Sequence, residues 1–225
     1  MQSKARIAIF ASGSGTNAEE IFKRFKDHPA IEVVLLLSNN PGAYALVRAK
    51  KFGVPSKTFT RQQWRETHDV LGWLREAAVT HIVLAGFLWL VPSYLVQAYP
   101  HRIINIHPAL LPKYGGKGMY GANVHEAVKA ARETETGITI HLVNERYDDG
   151  AILFQTSCAI NPDDWAEKIE KLALEASSFV DVQVTKGLSL LTVRHYTKEV
   201  FEKLTEGKKI LLRQQTPETI QLLLQ

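Results

Sequence analysis

Two residues able to handle a proton and an oxyanion stand side by side in the run Ile103, Ile104, Asn105, Ile106, His107, just before Pro-Ala-Leu-Leu-Pro. Strand alternation sends the side chains of Asn105 and His107 to one side and those of Ile104 and Ile106 to the other. An amide donor beside an imidazole suits a developing oxyanion: the amide hydrogen-bonds it, and a protonated ring does the same and then supplies a proton. A free imidazole is largely neutral at pH 7, so a carboxylate partner is expected to raise its pKa and orient it. Asp148 and Asp149, in Asn-Glu-Arg-Tyr-Asp-Asp-Gly, are the candidates. A lone histidine at a strand end is more often a satisfied structural group; of the eight histidines only His107 has such a companion. No His-x-x-x-His, cysteine pair or carboxylate at ligand spacing accompanies it, so no metal site is expected.

A second motif is Gly13-Ser14-Gly15-Thr16-Asn17, between an apolar run and a helical pattern. Such a loop turns backbone N–H groups and a helix N-terminus toward an anion. A dinucleotide would require an acidic residue after the second strand, where Ser38-Asn39-Asn40 stands instead, and no Gly-Lys-Ser/Thr closes a Walker loop. A single phosphate suits the loop better; a tight turn without a ligand is the alternative.

These groups need a sheet to position them. Apolar runs at 6–10, 31–37, 80–84 and 103–106, with a short one at 56–59, alternate with helical patterns at 18–25, 44–52, 62–77 and after Pro92. That order implies right-handed β-α-β units and a mostly parallel, doubly wound α/β sheet, whose ligands collect at the carboxyl ends of the strands. After the Pro/Gly loop 107–122, a helix is expected at 123–131. Strands at 136–143 and 151–159 then predict an antiparallel edge pair, followed by a helix over 164–184.

The 225 residues fit one catalytic domain over 1–187 with an extension over 188–225, in which 188–193 reads as an edge strand. A packed appendage is expected there, since Leu, Ile and Val are frequent. The net charge of +4 is concentrated after residue 185, where seven Lys and Arg face four Glu, so the basic balance does not predict a nucleic-acid partner. The single cysteine, Cys158, excludes an internal disulfide, and no apolar window is long enough for a membrane span. The N-terminal run reads as a first strand rather than a signal peptide, and a cytoplasmic enzyme is expected, as monomer or homodimer.

The segments IAIFASGSGTNAEEI, VLAGFLWLVP, INIHPALLPKYGGKGMYGANVHEAV and GITIHLVNERYDDGAILFQ closely resemble the phosphoribosylglycinamide formyltransferases of purine synthesis, from about residue 5 to residue 180. The resemblance implies formyl transfer from 10-formyltetrahydrofolate to the amine of 5-phosphoribosylglycinamide, without a metal. It implies catalytic roles for Asn105 and His107, with Asp148 as the carboxylate that keeps the histidine charged. Gly15, Thr16 and Asn17 match the substrate-phosphate loop, and Glu175 resembles a residue contacting the glycinamide substrate. Leu88, Trp89, Leu90, Val91, Val143 and Asn105 match the folate-binding edge, and Arg65 resembles a folate-contacting arginine. Position 89 is commonly Arg or Lys in that family. Another 10-formyltetrahydrofolate-using transferase or hydrolase would share the catalytic trio. The first, acting on a tRNA, would need a downstream RNA-binding domain, and the hydrolase a regulatory domain before the first strand. A non-catalytic phosphate-binding module is the remaining alternative.

Overall fold

A computed structural model of the chain describes residues 4–161, 163–177, 181–184 and 191–194. The first strands and helices alternate: β1 (Ala5–Phe10), α1 (Thr16–Phe25), β2 (Ile31–Ser38), α2 (Tyr44–Lys51) and β3 (Ser56–Thr58). Then come α3 (Arg61–Arg65), α4 (Asp69–Glu76), β4 (His81–Leu84), α5 (Ser93–Ala98) and β5 (Ile103–His107). The rest are α6 (Ala122–Ala130), β6 (Glu135–Leu142), β7 (Ile152–Ala159), α7 (Ala166–Ser177), β8 (Asp181–Val184) and β9 (Leu191–Arg194).

The main sheet has seven strands in the order β3-β2-β1-β4-β5-β6-β7. The pairs among β3, β2, β1, β4 and β5 are parallel, and β6 and β7 are antiparallel. This is the mostly parallel, doubly wound sheet with an antiparallel edge pair. By compactness the chain divides into two units, residues 1–105 with 143–145, and residues 106–142 with 146–225.

In the first unit the strand order reverses between β1 and β4, both of which end near loops that carry polar residues. Its core is built on Phe10, Phe59 and Trp64, the last two stacked at 5.1 Å between ring centroids. Ile7–Phe10 of β1 and Val34–Leu37 of β2 are continuous buried apolar runs because both faces are covered, as parallel sheets require. In the second unit Val128 of α6, Ile160 and Ile169 of α7 form the described apolar cluster, with Tyr114 and Leu172 packed on it.

Two expectations need correction. The helix predicted over 62–77 is two helices. Thr60 starts α3 with a capping box, its side chain accepting from Gln63 N–H while the Gln63 side chain accepts from Thr60 N–H. The Trp64 carbonyl, which a continuous helix would use four residues on, accepts instead from the Tyr94 hydroxyl at 2.7 Å. His68 then turns left-handed at φ 58° and α4 starts anew at Asp69. The helix predicted over 164–184 stops at Ser177, and Asp181–Val184 is the strand β8. Its partner β9 covers part of the expected 188–193 strand, and the two form a separate antiparallel pair rather than an extension of the main sheet. Among the described residues no helix is long and apolar enough to cross a membrane.

Candidate active site

In the first unit the loop after β1 packs its backbone tightly against α2. Gly15 is the N-cap of α1 at φ 71°, a region where glycine carries no steric cost. A Cβ there would lie 2.5 Å from the Ala45 Cβ and 2.6 Å from its Cα, so α2 packs against the space that only glycine leaves. No side chain caps the start of α1, and the first-turn residues are exposed Thr16 and half-buried Asn17. Orphan N–H groups at such an end favour an anion.

Buried Ser12 ties the loop to its neighbours. Its hydroxyl donates to Asn39 Oδ1 at 2.6 Å and accepts from the Leu88 N–H at 3.1 Å, while Asn40 Nδ2 donates to the Ser12 carbonyl at 3.2 Å. The asparagines that stand where a dinucleotide fold needs an acid are therefore loop supports. Arg48 of α2 donates from Nε to the Ser14 carbonyl at 2.9 Å and is ion-paired with Glu19. Neither Ser12 nor Arg48 was singled out by sequence reasoning. The signal for Ser12 was its place between a buried strand and the glycines, where an isolated hydroxyl must find partners.

The same unit holds the segment 88–91. Its Leu88 N–H is taken by Ser12 and its Leu90 carbonyl by the Trp64 indole Nε1 at 3.1 Å, so two of its backbone groups hold the segment in place. Leu88 is exposed and Val91 buried. Half-buried Trp89 is edge-on to Phe59 (5.9 Å) and Phe87 (6.5 Å), with the Arg61 guanidinium 5.9 Å from its ring centroid. Arg65 is exposed at the end of α3, and the Val143 N–H donates to the Ile103 carbonyl at 2.9 Å, just after β6.

In the second unit the chemistry gathers around Asp148. His107, the last residue of β5, is buried, and its Nδ1 lies 3.6 Å from Asp148 Oδ1. His107 Nε2 is 2.8 Å from the Tyr114 carbonyl. Asp148 sits at φ 50° in the turn after β6, and its Oδ2 accepts from the Gly116 N–H at 3.0 Å. Asp149 is directed elsewhere, with Arg146 2.7 Å away. Of the two aspartates the turn conformation thus brings Asp148 to the histidine. Asn105, half-buried, precedes His107 by two residues on β5 and is paired in register with Leu84. Glu175 lies in α7, but its side chain is outside the described residues.

Two further buried histidines stand here. His141 of β6 has Nε2 3.5 Å from the same Asp148 Oδ1 and Nδ1 2.8 Å from the Leu142 carbonyl. His125 of α6 is buried, its Nδ1 has no hydrogen-bond partner, and burial, aided by the nearness of His107, pulls its pKa down to about 4. For Asp148, burial pushes the pKa up, but the His141 hydrogen bond and the charge of His107 outweigh it, leaving the carboxyl below its ordinary value. For His107, burial pulls the pKa down; Asp148 and the Tyr114 carbonyl oppose this without overcoming it, and His141 adds to the fall. The directions do not describe one simple ion pair. Desolvation of an almost fully enclosed ring outweighs the two groups that favour its charge. Asp148 is the foremost of the groups that favour the charged ring.

Residues 5–185 match the model of the formyl transferase family. Over 171 residues the chain is 38% identical to the phosphoribosylglycinamide formyltransferase of Haemophilus influenzae, covering 73% of this chain and 78% of that one. This chain belongs to the phosphoribosylglycinamide formyltransferase family. A chloroplastic member from Arabidopsis thaliana is 39% identical over 192 residues, 82% of this chain; the chain spans 65% of that relative's length. Among solved structures, the phosphoribosylglycinamide formyltransferase of Bacillus halodurans superposes with a TM-score of 0.68 at 35% identity, covering 77% of this chain and 89% of that one. The Anaplasma phagocytophilum member superposes with a TM-score of 0.71 at 27% identity, covering 87% and 95%.

Proposed function

We propose that this chain transfers the formyl group of 10-formyltetrahydrofolate to the amine of 5-phosphoribosylglycinamide, a step of purine synthesis. The observation that carries the reading is the strand-end His107, enclosed and facing Asp148, with Asn105 two residues before it, in a chain of this family.

In the proposed reaction the amine nitrogen bonds to the formyl carbon and the carbonyl electron pair moves onto oxygen. Asn105 and His107 hydrogen-bond that oxygen. Collapse of the tetrahedral centre returns the pair, breaks the bond from carbon to the folate nitrogen, and leaves the electrons on that nitrogen. The proton lost by the amine ends on it. His107, in its protonated form, supplies the proton that the folate nitrogen takes up, and Asp148 stabilises the imidazolium and returns the amine proton to the ring through water. Removing one donor to an oxyanion typically costs about 10²–10³ in turnover. Gly15, Thr16 and Asn17 hold the substrate phosphate through backbone N–H groups, and Glu175 contacts the glycinamide substrate. The folate lies along residues 88–91 and Val143, with Arg65 on its carboxylates. Reaction needs no metal and no covalent enzyme intermediate. The enzyme works in the cytoplasm, as monomer or homodimer, and residues 188–225 serve packing or subunit contact.

The test is a spectrophotometric assay of folate product with and without 5-phosphoribosylglycinamide. Product that requires the amine supports the reading. Product formed equally without it indicates a hydrolase, and binding of the phosphorylated substrate without product indicates a non-catalytic module.

A further inference from the structure

The peptide units of the loop after β1 are held by their carbonyls. The Ser12 carbonyl accepts from Asn40 Nδ2 at 3.2 Å and that of Gly13 from the Ala45 N–H at 3.1 Å. The Ser14 carbonyl accepts from Arg48 Nε at 2.9 Å and that of Gly15 from the Glu19 N–H at 2.9 Å. These peptide bonds are trans, so the N–H of each following residue points opposite to the held carbonyl. The four grips therefore aim the N–H groups of Gly13, Ser14, Gly15 and Thr16. Among the described residues no hydrogen bond occupies those four groups.

The Ser14–Gly15 unit is the one of the four held by a charged side chain. The same Arg48 guanidinium is paired with Glu19, a buried carboxylate in the first turn of α1. Lys51 Nζ lies 3.8 Å from the other Glu19 oxygen, and the Tyr44 ring braces the guanidinium with its centroid 5.0 Å from Arg48 Cζ. A carboxylate in the first turn of a helix already draws on the field that favours an anion there, and it repels a second anion. We propose that Arg48 is a positioning residue for the substrate phosphate: it aims the Gly15 N–H at the anion and offsets the Glu19 charge that would repel it. Arg48 acts through these two neighbours, to which its donors are committed. Loop, α1 and α2 lie within one compact unit. The proposal rests on the reading of Gly15, Thr16 and Asn17 as a phosphate loop, and not on the chemistry of formyl transfer.

The test is titration of the folate-free, full-length protein with inorganic phosphate at constant ionic strength, followed by backbone amide NMR. In the unaltered chain the amides of residues 13–17 should shift together. In Arg48→Met the phosphate Kd should rise at least about tenfold, the worth of one charge-assisted hydrogen bond, and the Gly15 amide should lose its shift. Adding Glu19→Gln to that variant removes the repelling charge, so part of the affinity should return while the Gly15 shift stays lost. Binding by Arg48→Met within about twofold of the unaltered chain, or equal losses in the single and double variants, would overturn the proposal. If methionine prevents folding, Arg48→Lys decides: its single ammonium keeps Glu19 and releases Ser14, so Gly15 should lose its shift and Thr16 keep its own. An unchanged Gly15 shift there would overturn the proposal, and so would the absence of any loop shift in the unaltered chain. Under the formyl-transfer reading, KM for the phosphorylated substrate follows the phosphate Kd, with kcat and the folate KM little changed, a split that general loosening of the fold would not produce. Because no folate is present, failure of that reading leaves the titration standing. Normal phosphate binding by Arg48 variants that still form amine-dependent product removes this proposal alone.

Discussion

A methyl group placed on Gly15 sets two opposing demands on the loop after β1. Alanine at φ 71° costs about 1–2 kcal/mol relative to glycine. The added carbon would also stand 2.5 Å from the Ala45 Cβ, against a helix backbone that cannot move as a side-chain tip can. Overpacking of this kind costs about 1–3 kcal/mol. Together the two effects amount to about 2–5 kcal/mol, and in a chain of this size each kcal/mol moves Tm by about 2–4 °C. Differential scanning fluorimetry of Gly15→Ala should therefore show Tm falling by about 4–20 °C. Gly13→Ala is the internal control, since its Cβ would meet nothing within 4 Å. It should stay within about 0.5 kcal/mol of the unaltered protein. Because the displaced backbone is the proposed phosphate cradle, Gly15→Ala should also raise KM for the phosphorylated substrate at least tenfold, with KM for the folate little changed. Equal Tm values for the two alanine variants would refute the packing argument. A stability loss with unchanged KM would remove the loop from phosphate binding.

The other predictions concern charge and the aromatic rim. In Asp148→Asn the group that limits the fall of the His107 pKa is gone, so activity should drop at pH 7.5 and partly recover as pH is lowered; parallel profiles for variant and parent would count against the role. His125 has a folded pKa of about 4, below the ordinary histidine value, so the unfolded chain binds more protons in between. Stability should be full above about pH 6.5 and decline as pH falls through about 4, and His125→Asn should flatten that part of a Tm-against-pH curve. Trp89→Arg should lower Tm modestly, because it removes a half-buried ring from Phe59 and Phe87, and should lower KM for an anionic substrate by supplying the cation common at this position. Unchanged Michaelis constants for both substrates would mean that residue 89 takes no part in binding.

Most of the parallel half of the fold was legible because β1, β2 and β4 each carry a run of consecutive buried apolar residues, which two-sided burial explains; β3, Ser56–Thr58, is short, polar and exposed. The break at 66–68 was half legible: the Thr60–Gln63 box marks a helix start, but Tyr94 taking the Trp64 carbonyl is a tertiary contact with no local trace. The end of α7 was missed because Asp181–Val184 continues an apolar spacing that fits either period. In the candidate site, strand alternation alone singled out Asn105 and His107. Choosing between Asp148 and Asp149 needed the turn itself, since the left-handed Asp148 aims one carboxylate inward and leaves the other to Arg146. His141 was passed over because Ile138–Leu142 reads as a buried strand. The signal was there all the same: a histidine in such a run must find polar partners, and its partner is Asp148.

Single-turnover formyl transfer by His107→Ala tests the central claim most directly. The enclosed strand-end imidazole is the one group here assigned both to the oxyanion and to the proton. The variant, shown folded by an unchanged circular dichroism spectrum, should transfer the formyl group at least about a hundredfold more slowly than the unaltered enzyme at saturating 10-formyltetrahydrofolate and 5-phosphoribosylglycinamide. A rate within about tenfold of the unaltered enzyme would contradict the account, because no oxyanion donor that also moves the proton could be lost so cheaply.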